Sequence, residues 1–227
     1  MVGICVFDAY GTLFDVTSAA RAVAAEPGRE AFASQWQALS QTWRDKQLQY
    51  TWLRAASGIH TDFWSVTCDG LDYALEAHGL AEPELRARLL ALYRALAAYS
   101  EVAEMLNTLR TEGFKTAVLS NASPAMLEAA IASAGIADLL DAALSAEQVG
   151  VFKPAFANYA LVPACFGCAR REVLFVSSNG WDAWAAGAYG FRTAWVNRRG
   201  EPVERLPGRP EHILDDLRGI PDVARAL

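Results

Sequence analysis

The chain has 227 residues, of which 53% are hydrophobic and 20% charged, and carries a net charge of -6. It is long enough for one substantial domain, or for a core with a smaller inserted one, and too apolar for a disordered chain. Lysine and arginine are dispersed in this acidic background, so no nucleic-acid partner is expected.

No apolar run reaches membrane-span length, and the opening Met1 to Phe7 run lacks the basic flank of a secretory leader, so no membrane partner is expected. Cys5, Cys68, Cys165 and Cys168 are few for this length and fit a reducing, cytoplasmic location. Cys165-Phe-Gly-Cys168 has CxxC spacing, but it lacks a second pair or a nearby His and precedes a strand, so it reads as structural.

In chain order, Ile4 to Phe7 is a β-rich apolar run ending at Asp8, and Gly11 suits the turn that follows. The next hundred or so residues are too many for one crossover helix and read as helical. Phe32, Trp36, Leu39, Trp43 and Leu48 mark one amphipathic face, and two further helices are expected from about Asp62 to Ala77 and Glu82 to Ala97. A helix to Glu112 then leads to a strand at Thr116 to Leu119 and a Pro124-started helix reaching Gly135. Lys153-Pro154 is read as opening another helix. Strands are expected at Val173 to Val176, Thr193 to Val196 and His212 to Leu214, with an exposed loop from Gly200 to Pro210 and a last helical turn around Val223.

Strands alternating with helices specify an α/β fold with a parallel sheet, here a Rossmann-like core formed by residues 1–14 and 98–227 and a helical cap formed by 15–97. Ligands of such sheets bind beyond the carboxyl ends of the strands. Asp8, Ser120, Asn121, Ser177, Asn179 and Asp182 are therefore expected to converge.

Asp8-Ala9-Tyr10-Gly11-Thr12, Ser120-Asn121, Lys153-Pro154 and Ser177-Ser178-Asn179-Gly180-Trp181-Asp182 together resemble the four motifs of the haloacid dehalogenase superfamily. The phrases Val6 to Val16 and Trp43-Arg44-Asp45-Lys46-Gln47-Leu48 resemble its (S)-2-haloacid dehalogenase branch. Superfamily phosphatases have an Asp at the second position after the nucleophile, as general acid and base; here that position is Tyr10.

The resemblance implies hydrolytic dehalogenation of small (S)-2-haloacids to (R)-2-hydroxy acids with inversion, through an Asp8 ester. It implies a small 2-halocarboxylate, water and halide as partners, no cofactor or metal, and a homodimer. The implied catalytic set is Asp8, Thr12, Lys153, Tyr159, Ser177, Asn179 and Asp182. Asp182 positions the hydrolytic water, and Lys153 keeps Asp8 ionised. The implied substrate-binding set is Ala9, Tyr10, Arg44, Leu48, Phe63, Ser120, Asn121 and Trp181, with Arg44, Asn121 and Trp181 as the halide cradle.

Two positions depart from close relatives. Asp45 stands where Gln is frequent, and Trp184 stands at a glycine position, so local packing there must differ. Trp52 and Trp64 are read as packing the cap, and His60, His78 and His212 carry no assigned chemistry. The alternatives are a small-molecule phosphatase of the same superfamily and a non-catalytic ligand-binding capped domain.

Overall fold

A computed structural model describes all 227 residues. Six parallel strands, β1 (Ile4–Phe7), β2 (Lys115–Ser120), β3 (Ala142–Ser145), β4 (Val173–Ser177), β5 (Arg192–Val196) and β6 (His212–Leu214), form one sheet in the order β3-β2-β1-β4-β5-β6. β1 is central because its four residues, Ile4 to Phe7, are all buried and apolar, as a strand covered on both faces requires. Alternation sends Cys5 and Phe7 to one apolar cluster and Ile4 and Val6 to the other. The strand order reverses between β1 and β4, and Asp8 lies at that switch point, beyond the Phe7 and Val176 pair.

Five helices follow β1 before the chain returns to the core: α1 (Ser18–Ala24), α2 (Glu30–Ala33), α3 (Trp36–Ser57), α4 (Phe63–Ala77) and α5 (Pro83–Tyr93). The chain leaves and re-enters at one place. Asp15 N–H donates to the Ala97 carbonyl at 2.8 Å and Tyr99 N–H to the Leu13 carbonyl at 3.0 Å. The remaining helices are α6 (Val102–Thr111), α7 (Pro124–Ser133), α8 (Phe156–Phe166), α9 (Gly180–Tyr189) and α10 (Ile220–Ala226).

Several expectations are corrected. The face expected to run unbroken from Phe32 to Leu48 is divided, because Phe32 belongs to α2 and Ser34 and Gln35 separate it from α3. The buried stripe of α3 is Leu39, Trp43, Gln47 and Thr51, so a polar residue takes the place that hydrophobicity assigned to Leu48. α5 stops at Tyr93 rather than Ala97. Pro154 follows Lys153 through a cis peptide and precedes α8, whose N-cap is Ala155, instead of opening it. β3 has no counterpart among the expected strands; its residues Ala-Ala-Leu-Ser include no β-branched or aromatic side chain to mark a strand.

α3 and α4 approach closely at Gly70, where an added Cβ would lie 3.2 Å from Gln47 N and 3.3 Å from the Trp43 carbonyl oxygen. The Trp43 indole also donates to the Thr67 carbonyl at 2.8 Å. Because backbone cannot yield as a flexible side chain can, Gly70→Val is expected to lower stability by about 2–3 kcal/mol in urea unfolding. A midpoint unchanged from the parent protein would show that the helices separate freely.

Candidate active site

Asp8 is fastened to the sheet end by its N–H, which donates to the Val176 carbonyl at 2.9 Å. The chain then turns tightly, with Leu13 and Phe14 N–H both donating to the Ala9 carbonyl, and Gly11 takes a φ of 93° that side chains rarely adopt. This turn carries Thr12 back beneath the carboxylate. Thr12 Oγ1 donates to Asp8 Oδ2 at 3.0 Å and accepts from Ser178 N–H at 2.8 Å. Asn179 Nδ2 donates to the same oxygen at 2.9 Å.

On the other side, Lys153, 1% exposed, directs Nζ at Asp8 Oδ1 (3.2 Å) and Asp182 Oδ2 (2.9 Å). Burial alone would depress its pKa, but the adjacent Asp182 and Asp8 carboxylates more than offset this and hold the ammonium above its ordinary value. Asp182 is fully buried. Burial drives its pKa up, opposed by Lys153, reinforced by the like charge of Asp8, and opposed again by the Tyr159 hydrogen bond. Tyr159 donates to Asp182 Oδ1 at 2.6 Å, and Ser177 Oγ donates to Oδ2 at 3.1 Å while accepting from Asn179 N–H. Tyr159 itself is pushed well up by burial and stays a phenol.

Arg44 reaches from α3 to this centre. Its Nη2 donates to the Tyr10 carbonyl and to Asn179 Oδ1, both at 3.2 Å, so the Asn179 amide links the cap cation to the Asp8 carboxylate. Asn121 Oδ1 accepts from Lys153 N–H at 2.8 Å, which turns its amide nitrogen the other way. Ser120 is buried, and its Oγ accepts from Ala122 N–H. The Trp181 indole N–H is buried without a hydrogen-bond partner, a donor left free for an anion or other acceptor. Ala9 is fully buried.

Apolar rings close the chamber. Tyr10 stacks on Tyr93 with centroids 5.7 Å apart and meets Phe63 edge-on at 6.0 Å, and Phe63 meets Phe152 in turn. Burial pushes the Tyr10 phenol well above its ordinary pKa. It therefore lacks the titratable proton that the phosphatase reading needs near neutral pH.

Other expected residues stand elsewhere. Leu48 is half-buried beside Asp45, Lys46, Gln49 and Trp52 in an open hollow, not on the buried face of α3. Trp52 does not simply pack the cap: it is 39% exposed and meets Trp181 edge-on at 5.5 Å. Trp64 does, beneath the Arg94 guanidinium. Asp45 faces solvent and accepts from Gln41, away from Arg44. Trp184 donates to the Pro207 carbonyl and packs on Gly208, anchoring the loop that carries both.

Gln47, Tyr93, Phe152 and Trp52 are contacts of the site that sequence reasoning misses. Phe152 and Gln47 are within its reach, one residue before Lys153 and one helical turn after Arg44. No three His, Cys, Asp or Glu side chains gather as metal ligands, and the two neighbouring carboxylates both address Lys153.

Residues 2–190 match the family model of haloacid dehalogenase-like hydrolases. The chain is 39% identical to (S)-2-haloacid dehalogenase 1 of Pseudomonas sp. (strain CBS-3), over 98% of this chain and 96% of that one. It is 41% identical to (S)-2-haloacid dehalogenase 4A of Burkholderia cepacia, over 94% and 90% respectively. The structure of L-2-haloacid dehalogenase from Xanthobacter autotrophicus with chloropropionic acid covalently bound superposes with a TM-score of 0.89 at 37% identity, covering 100% of both chains. The fold is that of the haloacid dehalogenase-like hydrolases. Within that class the chain belongs to the (S)-2-haloacid dehalogenase family, hydrolases acting on carbon–halide bonds through a covalent ester.

Proposed function

We propose that Asp8 is the nucleophile that displaces halide from C2 of a small (S)-2-haloacid and releases the (R)-2-hydroxy acid. The observation that carries this assignment is the Asp8 carboxylate, held by Thr12, Asn179 and Lys153 beneath the Arg44 guanidinium. These donors fix its orientation for in-line attack and the buried Lys153 ammonium pairs with it, so little of the barrier is spent on ordering it. As the Asp8 oxygen bonds to C2, the carbon–halogen electron pair leaves with the halide. Arg44, the free Trp181 N–H and the Asn121 amide receive that charge. The Ala9 and Tyr10 turn, Ser120 and Phe63 line the space for the rest of the substrate.

Water then attacks the Asp8 ester carbonyl. Asp182, whose buried carboxylate is a stronger base than usual, takes the water proton, with Ser177 and Tyr159 holding it in place. The bond from the Asp8 acyl carbon to the ester oxygen then breaks, that oxygen recovers the proton from Asp182 and stays on C2 as the hydroxyl, giving inversion. Lys153 Nζ stands between the two carboxylates.

The close crossing at residues 13–15 and 97–99 supports 15–97 as the cap over a core of 1–14 and 98–227. No helix is long and apolar enough to cross a membrane, and the four cysteines are free, which supports a cytoplasmic location. The homodimer is checked by sedimentation equilibrium.

The test is a single turnover of each 2-chloropropionate enantiomer in ¹⁸O-water, with and without chelator. We expect turnover of the (S)-substrate alone, label in Asp8 and none in the first product, and no effect of chelator. Label in the first-turnover hydroxy acid would establish direct attack by water and overturn the Asp8 ester assignment.

A further inference from the structure

Gln47 is 1% exposed and belongs to none of the four motifs. Its oxygen accepts from Arg44 Nη1 at 2.7 Å, and its nitrogen donates to Thr67 Oγ1 at 2.7 Å and to the Tyr93 hydroxyl at 3.1 Å. Thr67 spends its own proton on the Phe63 carbonyl at 2.7 Å, so it can only accept from Gln47. That fixes the amide with its oxygen toward Arg44, because the reverse orientation would set donors against the guanidinium.

Arg44 has somewhere else to go. A part-open hollow of about 260 Å³ borders both Arg44 and Gln47, with Trp36, Trp43, Tyr93 and Arg199 among its other walls. A long side chain with several soft torsions beside such a space loses its aim unless a fixed acceptor holds it. The same acceptor must be neutral, since a carboxylate there would pair with Arg44 and reduce the charge it offers to an anion.

We propose that Gln47 is a positioning residue for the dehalogenation. It holds the Arg44 guanidinium over Asn179 and the Tyr10 turn, against reorientation into the hollow it borders, and leaves its charge available to the substrate. Tyr93 extends the support to the chamber wall, because it bonds Gln47 and stacks on Tyr10. The proposal rests on the reading of Arg44 as the anion-binding cation.

The experiment measures kcat, KM for (S)-2-chloropropionate and inhibition by bromide for Gln47→Met, Gln47→Glu and Thr67→Val, each alone and combined with Arg44→Lys. Circular dichroism and Tm accompany each variant. Gln47→Met is expected to weaken kcat/KM about tenfold with the fold intact, the scale of losing one charge-assisted hydrogen bond that aims a reacting group. It should add little once Arg44 is already Lys. Gln47→Glu should weaken bromide inhibition, and Thr67→Val should act in the direction of Gln47→Met but less strongly.

Wild-type kinetics in Gln47→Met, or an equal loss in both backgrounds, would overturn the proposal. Unimpaired turnover in Arg44→Lys would instead remove the Arg44 reading, and the proposal with it. If Gln47→Met does not fold, Thr67→Val decides by the same comparison, since it leaves Gln47 and its Tyr93 bond in place and removes one of its two anchors.

Discussion

Asp8→Asn is expected to abolish turnover, by at least about 10⁴-fold in kcat, while leaving the fold intact. The amide keeps nearly the shape of the carboxylate and can still accept from Thr12, so the local frame survives. What it loses is the charge that attacks C2 and attracts Lys153. Product release assayed on freshly purified variant, with mass spectrometry to exclude deamidation back to Asp, checks the expectation. Sustained halide release by mass-verified Asp8→Asn protein would remove Asp8 from the nucleophile role.

The second large effect is expected of Lys153→Met, which leaves Asp8 and Asp182 side by side, buried, without the cation between them. Removing one partner of a buried ion cluster costs about 3–5 kcal/mol, because the charges left behind are uncompensated. Activity should fall at least about 10³-fold, since one carboxylate must take up a proton and neither then serves as it did. In the parent protein the Lys153 pKa is raised. The stability from its pairing is therefore fully present below the ordinary lysine value of 10.5 and is lost as pH rises through the elevated one.

The variant should behave oppositely. Its buried Asp182 carboxyl, no longer opposed by Lys153, titrates further above its unfolded value, so stability should be recovered on acidification and lost as pH rises. Urea unfolding across pH and halide release at neutral pH measure both effects. A variant as stable and as active as the parent at neutral pH would show that Lys153 is not required to offset the two carboxylates.

Much of this is legible in the chain. Asp8, Ser120 and Ser177 each close a short apolar run, and parallel strands bring such ends together whatever the details of the helices between them. That is why Asp8, Lys153, Asn179 and Asp182 meet where the motifs placed them. The strands themselves are readable at β1, β2, β4 and β5, because buried strands of a parallel sheet are nearly continuous apolar runs, and at the short, part-exposed His212-Ile213-Leu214 of β6. β3, half-exposed and only four residues long, carries no such signal.

By itself the sequence determined the layered fold, the placement of Asp8 at a strand end, and the presence of a helical insert, since each is a local feature or follows directly from strand order. Only the tertiary structure decided which face of α3 is buried, that Gln47 rather than Leu48 lies on it, that Trp52 meets Trp181, and that Asp45 turns away from Arg44. The physical reason is that a helix presents its residues every 100° or so, and which of two adjacent positions faces inward depends on the partner helix and its hydrogen bonds. Here Gly70 lets α4 approach α3 closely, and Thr67 and Tyr93 supply the partners that make a buried glutamine stable where hydrophobicity alone would place a leucine.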